Sequence, residues 1–133
     1  MSALFLFLAL SIAANDPVDD FVSAVEAGDY SKALLLVDGD VGVNSDMQKE
    51  AGPTTPAEKM LKFVAQCRVA KQLVKNNGTF TDFWWNCGAE VNEQGVRMRR
   101  MAAVDISRSG PKVKLNNFLV ARFPDTEKSL QGE

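Results

Sequence analysis

A chain of 133 residues, 46% apolar and 24% charged, has the make-up of one ordinary globular domain. Its formal net charge of −2 supplies no overall field that would draw it to nucleic acid or to an acidic membrane. Histidine is absent, which removes imidazole-based acid–base and nucleophilic mechanisms and the commonest zinc ligand, so neither a metal nor a cofactor is expected.

Residues 3–14 read ALFLFLALSIAA, an unbroken apolar run. It is shorter than the roughly 20 residues a helix needs to cross a bilayer, and it has the length of a signal-peptide core. Ser11-Ile12-Ala13 places small residues where a signal peptidase reads, although no Lys or Arg precedes the run. The expectation is a leader over 1–14, a domain over 15–124 and a polar tail over 125–133. The protein is then secreted or periplasmic, with no membrane span once the leader is gone. The alternative is an apolar N-terminal helix buried in the fold.

Asp16-Pro17-Val18-Asp19 carries a cap, a proline at the first helical position and an acid in the first turn. Val18, Phe21, Val22 and Val25 follow at helical spacing, and Gly28 stops the helix. Asp29 can cap a second helix with Ala33, Leu34, Leu36 and Val37 on its apolar side. Residues 38–54 are polar and aperiodic: a short strand at Val41–Val43, otherwise loop. Thr55-Pro56-Ala57-Glu58 has the form of a capping box that opens a third helix, ending near Gln66.

From Cys67 the pattern changes to strands, expected at Arg68–Lys75, Thr79–Cys87, Val96–Ile106 and Lys112–Phe123. Asn76-Asn77-Gly78 suits a three-residue hairpin loop centred on Asn77. The same residues begin a glycosylation sequon, Asn77-Gly78-Thr79, which the turn already explains. That centre sets Lys75 opposite Thr79, Leu73 opposite Thr81 and Cys67 opposite Cys87. Directly opposed residues have Cβ atoms about 4.5–5.5 Å apart, near disulfide reach, so a Cys67–Cys87 bond clamping the hairpin is expected. The other readings are two buried thiols or a redox-active or metal-binding pair; no Cys-x-x-Cys and no histidine is present. Helices followed by consecutive strands make an α+β fold: three N-terminal helices on a curved antiparallel sheet of about four to five strands.

Phe21 to Val43, FVSAVEAGDYSKALLLVDGDVGV, resembles the opening of the nuclear transport factor 2-like superfamily, which includes the SnoaL-like proteins and the ketosteroid isomerases. The shared parts are an aromatic-led helix, the Ala27-Gly28-Asp29 break, a second helix ending at Asp38 and Asp40, and a short strand. The resemblance implies a cone of sheet closed by helices, with an apolar pocket at its wide end. Members include enzymes, ligand carriers and protein-binding modules, so the fold leaves activity open. Where steroid isomerases carry an oxyanion-hole tyrosine, this chain has Phe21. Where they carry the aspartate base, it has Ser45, with Asp46 beside it. Dehydratase members use histidine. These departures favour a non-catalytic binding domain for a small apolar ligand or a protein partner. The alternative is an isomerase- or dehydratase-like enzyme with Asp46 or Asp82 as general base.

Alternation puts Phe83 and Trp85 on the face of Cys87, and Phe80, Asp82 and Trp84 on the other. Phe21, Phe83, Trp85 and Asn117 are the expected pocket residues, with one of Asn116 and Asn117 pointing inward. Phe80 and an exposed Trp84 are the expected interface, fitting the homodimers that many superfamily members form through the sheet. Arg97 and Arg99 share one face of their strand, and Met98, Arg100 and Val104 the other. With Arg108, Lys112, Lys114 and Arg122 they form either a solvated surface or an anion site. No aromatic interleaving points to nucleic acid.

Overall fold

The computed structural model describes residues 16–74 and 80–125; over 71–74 and at 80 and 81 the description is of the backbone. The leader over 1–14, the turn at 75–79, and the tail beyond Asp125 lie outside it.

Helix α1 (Pro17–Glu26) begins as its sequence implies, with the Asp16 carboxylate accepting the Val18 N–H at 2.9 Å and Pro17 in the first turn. Val18, Phe21, Val22, Ala24 and Val25 are its buried side. Gly28 takes the left-handed φ of 75° that ends it. Asp29 then caps α2 (Tyr30–Leu35) through the Lys32 N–H at 3.1 Å. Strand β1 (Val41–Gly42) follows.

The stretch expected as loop is more ordered than its composition suggests. Asn44 caps a 3-10 turn (Ser45–Met47), which runs into the short helix α3 (Gln48–Ala51) and strand β2 (Thr54–Thr55). β2 pairs with β1, Val41 opposite Thr55. That pairing also corrects the capping-box reading: α4 (Ala57–Val64) starts after Pro56, with no side-chain cap. Ala57, Met60, Leu61 and Val64 are its buried face.

Strands β3 (Arg68–Val74), β4 (Phe80–Val91), β5 (Arg97–Ser109) and β6 (Lys112–Pro124) form one antiparallel meander in that order, apart from the β1–β2 pair. β4 and β5 are longer than their apolar runs because their hairpin continues past the helices to Val91 opposite Arg97. The β5–β6 turn closes tightly on Gly110-Pro111, with Ser109 opposite Lys112.

Arg68 opposite Asn86 and Val69 opposite Trp85 are the register expected from the cysteines. Cys67 and Cys87 are bonded, with Cα atoms 4.4 Å apart. A bulge between Val69 and Lys71 then advances the pairing by one, so Leu73 faces Asp82 and not Thr81. Two further bulges shape the sheet, one between Asn86 and Ala89 around Gly88, the other where Asn117 and Phe118 oppose Val104.

The inner face packs Phe83, Trp85, Ala102, Val104, Ile106, Val113, Leu115 and Phe118 against the helices. Val37 and Val43 bridge to Val113 and Phe118, tying the N-terminal half to β6. Arg108 closes on Asp16, joining the start of α1 to β5. The Arg108 hydrogen bond, with help from the Val18 N–H, holds the Asp16 carboxyl below its ordinary 3.8.

Candidate functional site

Phe21, Phe83 and Trp85 are each 0% exposed. They are core residues: the Phe83 and Trp85 rings lie 4.8 Å apart at 47°, and the Trp85 Nε1–H donates to the Tyr30 hydroxyl at 3.2 Å. Burial pushes the Tyr30 phenol above its ordinary pKa. Nothing in the sequence pattern singles out Tyr30, although an indole on an inward strand position calls for an acceptor.

Asn116 and Asn117 are both exposed, so neither amide points inward. Asn117 has a φ of 57° at its bulge, a conformation asparagine tolerates better than most residues. Its side chain accepts from Asn44 Nδ2 at 2.6 Å and donates to Asp105 at 3.4 Å. The residue tethers the 3-10 turn to the sheet instead of lining a pocket.

The two carboxylates considered as bases are not brought together. Asp46 is exposed in the 3-10 turn, its N–H donating to Asn44 Oδ1 at 2.9 Å. Asp82 is half-buried on the outer face of β4, opposite Asp105 in the register.

That outer face carries the more informative arrangement. The pairing Trp84–Ala103–Leu119, with Met101 opposite Ala121 beside it, lays an apolar strip across β4, β5 and β6. Met101 and Ala103 are 5% and 6% exposed yet stand outside the core cluster. Trp84 is half-buried, not exposed as expected, and its indole N–H is buried with no acceptor among the described residues. Phe80 pairs with Ser107 through its backbone, while its side chain lies outside the description.

The basic residues of β5 and β6 divide as alternation requires. Arg100 points inward, its Nη2 donating to the Cys87 carbonyl at 3.3 Å and its guanidinium 6.0 Å from the Phe63 ring. Arg122 pairs with Glu90 and holds that carboxyl below its ordinary value. Arg97 and Arg99 both engage Asp125, which anchors the first residue of the expected tail. Those two hydrogen-bonded guanidiniums hold the Asp125 carboxyl low. Beside them a recess of about 350 Å³ is lined by Gln66, Arg68, Asn86, the bulge at Gly88, Arg97 and Arg99.

Among the described residues, no group of three His, Cys, Asp or Glu side chains is placed to hold a metal ion. No helix there is long and apolar enough to cross a membrane. Comparison with known family models and with curated proteins finds no match to this chain.

Proposed function

We propose that this is an exported, non-catalytic binding domain of the nuclear transport factor 2-like type, which pairs through the outer face of its sheet with a second copy of itself. The observation that carries this reading is the outer strip of Trp84, Met101, Ala103 and Leu119, in which an indole N–H is buried without an acceptor among the described residues. An aromatic and methionine strip flanked by polar residues has the composition of an interface core. The strip crosses the middle of an antiparallel sheet, so a two-fold axis through it sets the same apolar surface against itself.

The order of helices and strands supports the family reading. The disulfide and the apolar run at 3–14 support export, since such bonds persist in oxidising compartments. A small apolar ligand inside the fold has less support, because Phe21, Phe83 and Trp85 are used up in the core. An enzyme has less still, because Asp46 is exposed in the 3-10 turn.

Sedimentation velocity over a dilution series tests the pairing, using the oxidised protein and its Trp84→Arg and Leu119→Arg variants. The expected result is a dimer that dissociates on dilution and monomers for both variants, with unchanged circular dichroism. A protein that stays monomeric at its highest soluble concentration, or folded variants that still dimerise, overturns the reading.

A further inference from the structure

We infer that the inner face of the sheet beyond α4, around Arg100, binds a small molecule that carries one carboxylate on an aliphatic or aromatic body. The site lies on the opposite face from the strip proposed for pairing and does not depend on it. Its origin is in the length of the strands. α4 ends at Val64, while the β4–β5 hairpin and the end of β6 run on past it. Alternation along β5 turns Met98 and Arg100 to the side on which Ala102 and Val104 are buried in the core. Arg122 stands opposite Arg100 on β6, and Val120 opposite Ala102. Glu90 and Arg122 are 47% and 54% exposed, so this part of the inner face meets solvent.

Arg100 is the residue that calls for a ligand. It is half-buried between two partners, the Cys87 carbonyl at 3.3 Å from Nη2 and the Phe63 ring at 6.0 Å. Neither carries a negative charge. Among the described residues no carboxylate forms an ion pair with Arg100, and the Glu90 carboxylate beside it is taken by Arg122. The remaining Arg100 nitrogens are not among the buried polar atoms that lack a partner, so they reach solvent. A guanidinium offers five N–H donors in a fixed fork, which matches the two oxygens of a carboxylate. Partial burial against Phe63 strengthens such a contact over one in open water.

The surroundings of Arg100 suit an apolar body. Phe63 meets Phe118 edge-on, with ring centroids 6.4 Å apart at 79°. Phe63 and Val120 rest on the core and are half-buried. Met47 borders Val120, its sulfur accepting the Val120 N–H at 3.1 Å, and is half-buried too. Met98 is half-buried on the far side of Arg100. A ligand with one charged end therefore fits better than a polyanion, whose further charges would lie over Phe63, Val120 and Met98. The disulfide holds Cys87, whose carbonyl orients Arg100, so the cation is preorganised.

Titration of the full oxidised chain tests the site, followed by the β5 and β6 signals of its ¹⁵N–¹H spectrum. The probes are 3-phenylpropionate, decanoate below its micellar concentration, and the neutral 3-phenylpropionamide. The expected result is saturable binding of at least one acid, centred on Arg100, and binding of the amide weaker by about tenfold or more. Decanoate alone identifies an aliphatic body, and 3-phenylpropionate alone an aromatic one. Arg100→Gln is expected to weaken the acid about tenfold or more, and Arg108→Gln, at the other end of β5, to change it little. Met98→Glu sets a carboxylate beside Arg100 and is expected to abolish binding, which keeps the claim testable if Arg100→Gln disturbs the fold. No saturable binding of either acid overturns the inference. Equal binding of 3-phenylpropionate and its amide, or folded Arg100→Gln and Met98→Glu proteins that bind like the parent, overturns it as well.

Discussion

Tyr30 and Trp85 illustrate how one buried polar pair constrains this core. The indole is fully buried, and its N–H has the Tyr30 hydroxyl as partner. Tyr30→Phe keeps the ring and removes the acceptor, stranding a buried donor. The expected loss is about 1–3 kcal/mol of unfolding free energy, measured by urea titration. A loss near zero would mean the indole finds another acceptor. At the start of α1 the relevant pair is Asp16 and Arg108, exposed and thus a small contributor. A carboxyl whose folded pKa is depressed favours the fold only when ionised. Its contribution is present above the ordinary 3.8 and is lost as pH falls through the lower folded value. In Arg108→Gln the Asp16 titration, followed by NMR, is expected to move up toward 3.8. Asn117 belongs to the same scale: its left-handed φ is a reason to find asparagine inside a strand, and the sequence offered that signal without saying which asparagine used it.

Among the elements, the hairpin clamped by Cys67 and Cys87 is the sharpest case of local chemistry setting structure. The bond links residues separated by 20 positions. Its loss through Cys67→Ser with Cys87→Ser is expected to cost roughly 3 kcal/mol, read as a lowered denaturation midpoint. An intact-mass measurement showing two free thiols in the untreated protein would contradict the bond itself. The elements legible in the sequence were those with periodicity and caps: α1 and α2 from Asp16 and Asp29, the sheet from its apolar runs, and the register beside the cysteines. The bulge after Val69 was not legible, because an inserted residue leaves no compositional trace. The short strand at Val41 was legible, but the 3-10 turn, α3 and β2 after it were not, since two to four residues are too few to show a period. At Thr55 sequence and structure differ because the Thr-Pro-Ala-Glu pattern looks the same whether its threonine caps a helix or pairs with a strand.

At the scale of the whole molecule, sequence placed Phe83 and Trp85 on one face and Trp84 on the other, and the sheet agrees. It did not separate a pocket wall from a core, because both need apolar side chains pointing inward. Which space remains empty depends on how far Phe21, Tyr30 and Met60 reach into it. The recess at Arg68, Arg97 and Arg99 was out of sequence reach for another reason: it exists only once the β4 bulge and the disulfide bring Gln66 near β5. The outer strip has the same origin, drawn from three strands by their register. The two tryptophans therefore stand on opposite faces with opposite roles, one sealed in the core and one proposed at an interface. The most direct test is the ¹⁵N–¹H spectrum of the two indole N–H groups over a dilution series. Pairing through the sheet face predicts that the Trp84 signal shifts with concentration while the Trp85 signal, held by Tyr30, stays still. A Trp84 signal that is independent of concentration, in a protein shown to be folded and oxidised, would contradict it.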